Sequence, residues 1–116
     1  MTMSSKSPAT PIALTTDGYV ALKEQPGVAV IDLWAPWCPP CRAMAPVVDE
    51  LARAFSERAT IAKLDIDDHP RVSEELGVAS IPTLVFLKDG VEVDRLVGTA
   101  TLGDLELRVQ RILDES

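Results

Sequence analysis

The chain has 116 residues, 47% hydrophobic and 25% charged, with a formal net charge of −7. That length predicts one domain able to bury a core without staples. Its only cysteines are Cys38 and Cys41, which excludes a disulfide scaffold; 11 scattered Lys and Arg against 18 acids exclude a nucleic-acid binder. The apolar share excludes a disordered chain, and no apolar run reaches the roughly 18 residues of a membrane span.

Residues 1–10 read MTMSSKSPAT. They are polar and predict a flexible N-terminal extension. They lack the apolar stretch of a secretory signal, so a cytoplasmic location is expected. In such a compartment a cysteine pair reads as catalytic or metal-binding rather than as a fixed crosslink. Residues 11–116 are expected to form a single domain.

Pro11–Leu14 reads as a short edge strand. Thr16–Gln25 reads as a short helix, started by Thr16 or Asp17 and stopped at Pro26-Gly27. Val28–Trp34 is a continuous apolar run rich in β-branched residues, the pattern of a strand buried on both faces. Asp32 stands inside it. Cys38–Arg58 reads as one long helix, with Val47, Val48, Leu51 and Phe55 at helical spacing and Pro46 as a kink. Thr60–Ile66 is a second strand. Asp67-Asp68-His69-Pro70 starts a short helix that ends at Gly77. Thr83–Leu87 is a strand, Asp89-Gly90 a hairpin signal, and Val91–Val97 the return strand. Thr101-x-x-Asp104 caps a last helix with an apolar stripe of Leu102, Leu105, Val109, Ile112 and Leu113. Strands joined through helices should be parallel, and the hairpin adds an antiparallel pair. The expected architecture is α/β: a mixed sheet with helices on both faces.

Trp37-Cys38-Pro39-Pro40-Cys41 places a Cys-x-x-Cys pair where a buried strand meets a helix. A helix N-terminus carries unpaired N–H groups and a positive partial charge, which stabilise a thiolate. Cys38, partly exposed, would attack a substrate disulfide. Cys41, one turn on and more buried, would resolve the mixed disulfide. Half a zinc site is a rival reading, but tetrahedral zinc needs four ligands, and His69 is the sole other soft one. A cluster shared across a dimer and two ordinary core cysteines are the remaining rivals. Pro39 and Pro40 lack N–H groups, so the nearest donors for the Cys38 sulfur are those of Cys41 and Arg42. Asp32, in a run that should be buried, is expected to have a raised pKa suited to acid–base work. Trp37 reads as an exposed wall of a substrate groove, and Trp34 as core. His69 reads as a surface residue.

At these residues the chain resembles the thioredoxin family. The matching segments are Asp32-Leu33-Trp34-Ala35-Pro36-Trp37-Cys38-Pro39-Pro40-Cys41-Arg42, Ala45-Pro46, Lys63-Leu64-Asp65, Gly77-Val78, Ile81-Pro82-Thr83, Asp89-Gly90 and Val97-Gly98. Two positions depart from the family pattern: Pro39 and Ser80 stand where glycine is usual. The resemblance implies the thioredoxin fold, with a central mixed sheet of five or four strands flanked by four helices. It implies reduction of protein disulfides by a monomer with no bound cofactor. Its electrons would come from NADPH through a flavoprotein, thioredoxin reductase. Pro39 leaves room for an oxidase or isomerase role, and some family members serve as non-catalytic interaction subunits.

The resemblance also assigns residues. Asp32 would assist deprotonation of Cys41, and Lys63, which alone reads as a solvated charge, would be its electrostatic partner. An X–Pro bond is trans by default, yet the resemblance implies a cis Ile81–Pro82 bond facing the cysteines. That would expose the Ile81 backbone to an extended substrate. Gly98 and Ile66 would border the same groove, although Ile66 reads equally well as core.

Overall fold

The computed structural model describes residues 9–115. The expected N-terminal extension lies outside the described residues, apart from Ala9 and Thr10. Five strands form one sheet: β1 (Ile12–Ala13), β2 (Val28–Trp34), β3 (Ala59–Asp65), β4 (Thr83–Lys88) and β5 (Val91–Val97). Their order is β1-β3-β2-β4-β5. β1, β3 and β2 run parallel, and β4 is antiparallel to both β2 and β5. The helices are α1 (Thr16–Leu22), α2 (Pro39–Ala54), α3 (Pro70–Leu76) and α4 (Leu102–Asp114).

The run of apolar residues in β2 is explained by its central position, with helices over both faces. Val28 and Val30 pack with Met44, Val48 and Leu51 of α2 and with Leu105, Val109 and Ile112 of α4. Ala29, Ile31 and Leu33 face the other way, toward Tyr19 and Leu22 of α1 and Val72 of α3. Each of the larger buried side chains contributes about 2 kcal/mol of transfer free energy.

Several boundaries differ from expectation for local reasons. Thr15, not Thr16 or Asp17, caps α1, and its hydroxyl accepts the Gly18 N–H at 3.0 Å. α1 stops at Leu22 because the following residues turn toward Pro26-Gly27. α2 ends at Ala54 rather than Arg58. Phe55 leaves helical geometry (φ −119°, ψ 22°), and its carbonyl accepts the N–H groups of Arg58 and Ala59. That turn starts β3 at Ala59, one residue early, and β3 ends at Asp65, one residue before Ile66. Pro46 lies inside α2 without ending it. Thr101 caps α4 as expected, its hydroxyl accepting the Asp104 N–H at 3.1 Å. Asp89 and Gly90 both take positive φ (52° and 83°), as a two-residue hairpin turn requires. A Cβ at Gly90 would also collide with the Lys23 carbonyl oxygen.

Candidate active site

The strand directions collect distant segments at one edge of the sheet. Cys38 follows the C-terminal end of β2, and Ile66 and Asp67 follow that of its parallel neighbour β3. β4 is antiparallel, so its entry, Ile81-Pro82, arrives at the same edge: Thr83 pairs with Leu33. Thr83 also pairs with Val97, which brings Gly98 alongside.

Cys38 is the N-cap of α2, in extended conformation (φ −97°, ψ 107°). Its sulfur accepts the Cys41 N–H at 3.2 Å. The Arg42 N–H, expected as a second donor, goes instead to the Cys38 carbonyl oxygen at 3.1 Å. Pro39 and Pro40 occupy the first two helical positions and are exposed. No acid lies in the first turn to oppose the helix dipole. Cys38 and Cys41 are joined as a disulfide, with Cα atoms 5.2 Å apart.

Cys38 is more buried than expected, at 4% exposure against 2% for Cys41. Ala35 and the half-buried Trp34, Ile66 and Ile81 close around the pair. The Ile81 carbonyl oxygen lies 4.0 Å from the Cys38 sulfur. The Ile81–Pro82 bond is cis, as the resemblance implied and against the trans default. Pro82 is buried, and its carbonyl accepts the Gly98 N–H at 2.8 Å. Gly98 has φ 97°, a conformation that favours glycine.

Trp37 is 62% exposed, and its indole N–H donates to an Asp67 carboxylate oxygen at 2.7 Å. Asp67 reads in the sequence only as a helix-start acid. No sequence spacing links positions 37 and 67. The parallel register does, because Trp34 pairs with Asp65 and both chains continue past the same edge.

Asp32 is 1% exposed, on the β2 face that carries Val28 and Val30 against α2. Among the described residues, neither carboxylate oxygen has a hydrogen-bond partner. Burial pushes its pKa up to about 6, and the Lys63 charge pulls the other way. Lys63 is its cross-strand neighbour on β3, and its ammonium sits 4.6 Å from the centroid of the Trp34 ring. Trp34 is therefore not fully core. With Lys63, Asp65, Asp68 and His69 it lines a cavity of about 300 Å³. His69 is not a free surface residue either: its Nδ1 accepts the Thr16 N–H at 3.2 Å, tying α1 to the start of α3. Among the described residues, no group of three or more His, Cys, Asp or Glu could hold a metal ion. No described helix is long and apolar enough to cross a membrane.

The thioredoxin family model matches residues 12–111. A thioredoxin 1 from Synechococcus elongatus is 49% identical over 69 residues, 60% of this chain and 64% of that protein. A thioredoxin from Staphylococcus aureus is 45% identical over 87 residues, 75% of this chain and 84% of its own length. The structure of a mutant thioredoxin from Halobacterium salinarum superposes with a TM-score of 0.87 at 28% identity, over 97% of this chain and 99% of that one. Sheet order, cysteine spacing and these matches agree, and the chain belongs to the thioredoxin family, with Cys38–Cys41 as its disulfide-capable pair.

Proposed function

We infer that this chain is a cytoplasmic monomer that reduces disulfides in protein substrates, recycled by an NADPH-dependent flavoprotein thioredoxin reductase. The observation that carries the reading is the placement of the Cys38 sulfur. It sits at a helix N-terminus, accepts one backbone N–H, and lies beside the Ile81 carbonyl at the sheet edge. In the reduced protein the Cys38 thiolate attacks one substrate sulfur, and the other leaves as a thiolate. Cys41 loses its proton and attacks the Cys38 sulfur of the mixed disulfide. The substrate sulfur that Cys38 first attacked departs as a thiolate, and the Cys38–Cys41 disulfide closes. Two electrons pass from the protein dithiol to the substrate disulfide.

Asp32 accepts the Cys41 proton, through water. Its buried, unpartnered carboxylate with a pKa near 6 supports this role, because such a group exchanges protons near neutral pH. Lys63 keeps that carboxylate from rising further. Trp37, Ile66, Ile81, Pro82 and Gly98 form the groove. Ile81 offers its main chain to an extended substrate, as in strand addition.

The test is reduction of insulin with NADPH and thioredoxin reductase. Wild type should turn over, and Cys38→Ser should show only the rate without protein. Equal rates for the two would overturn the reading.

A further inference from the structure

The segment from α3 to β4 carries Ile81, so whatever fixes that segment fixes the groove. Its far end is tied: the Thr83 hydroxyl donates to the Ser80 carbonyl at 2.6 Å, and Gly98 holds Pro82. At its near end, Gly77 takes φ 67° and ends α3. The N–H groups of Gly77 and Val78 satisfy the Glu74 and Ser73 carbonyls. The carbonyls of Leu76 and Gly77 are met by one side chain of β5. Arg95 of β5 donates Nη2–H to Leu76 at 2.5 Å and approaches Gly77 with Nη1 at 3.5 Å. Glu92 grips the same guanidinium through two bonds, at 2.6 and 2.8 Å.

This arrangement makes a strut between β5 and the end of α3. Arg95 stands opposite Val85, three residues before Gly98. Its cation meets the negative end of α3, where charge-assisted bonds to carbonyls are favoured. The planar fork lets it hold Glu92 and the helix end together, which a lysine ammonium does less well. Leu76 and Val78 pack on the core, while Gly77, Ala79 and Ser80 are exposed, so side-chain packing holds the segment only in part.

We propose that Arg95 is a positioning residue that sets the α3–β4 segment, and with it the Ile81 main chain, for docking of polypeptide disulfides. Small disulfides, which need the sulfur but not the main-chain pairing, do not depend on it. The proposal rests on the exchange reading above.

The experiment compares the pre-reduced full chain with Arg95→Ala, Arg95→Lys and Glu92→Gln. Second-order rate constants are measured against insulin and against hydroxyethyl disulfide. Arg95→Ala should slow insulin by about tenfold, the loss of one charge-assisted contact. Hydroxyethyl disulfide should stay within about twofold, and the Cys38–Cys41 potential should be unchanged. Arg95→Lys should recover part of the insulin rate. A ratio of the two rates that does not move overturns the proposal. Should Arg95→Ala be unfolded, Arg95→Lys and Glu92→Gln carry the same ratio, and an unmoved ratio in both overturns it. Wild type inert toward both disulfides would instead defeat the exchange reading itself.

Discussion

A carboxylate held at 1% exposure with no hydrogen-bond partner destabilises the fold whenever it is charged. Asp32 has a folded pKa of about 6, against an ordinary value of 3.8. Between those values the unfolded chain gives up the proton and the folded chain keeps it. Stability from the protonated form is thus complete below the unfolded value and is lost as pH rises toward about 6, by roughly 3 kcal/mol. Asp32→Asn should remove this slope and stabilise the protein at neutral pH by up to about 3 kcal/mol. Urea unfolding across pH checks it, and an unchanged slope would contradict it. The same variant should slow closure of the Cys38–Cys41 disulfide by about tenfold or more in a single-turnover reaction. The two prolines act at this scale as well. An N-cap side chain accepts from the second or third helical N–H. Cys41 supplies the third, and Pro40 removes the second. Pro40→Ala should therefore raise the thiolate fraction of Cys38 more than Pro39→Gly, as read by ultraviolet thiolate absorbance. A larger effect from Pro39→Gly would point instead to the helix dipole or to loop stiffness.

Elements form here largely where local chemistry dictates. β2 and β5 run as their patterns predict, and Thr101 caps α4. The boundaries that differ are those set by tertiary turns. Phe55 looks like one more apolar position of α2, yet it leaves the helix to deliver β3. Trp34 continues the apolar run of β2, but it borders a cavity with Lys63. Asp67 and Arg95 carry no readable signal in the sequence, because their partners come from other elements. The glycine ends of β5 offer a contrast. Gly98→Ala meets no atom and should cost about 1 kcal/mol for its positive φ alone. Gly90→Ala adds a collision with the backbone of α1's C-terminal turn and should cost more. Chemical denaturation of both variants checks the order.

Across the whole molecule, the parallel β2–β3 pair and the antiparallel β2–β4 and β4–β5 pairs bring four loops to one edge. The exchange pair is legible in the sequence, through the cysteine spacing and the strand-to-helix junction. The burial of Cys38 is not, because Ile66 and Ile81 close over it from segments distant in the chain. The order of events, in which Cys38 attacks and Cys41 resolves, is open to trapping. Reduced Cys41→Ser and Cys38→Ser variants are mixed with a disulfide-bearing protein and examined by mass spectrometry. A stable mixed disulfide at Cys38 is expected in Cys41→Ser, and almost none in Cys38→Ser. Equal trapping in both, or trapping through Cys41 alone, would contradict that order.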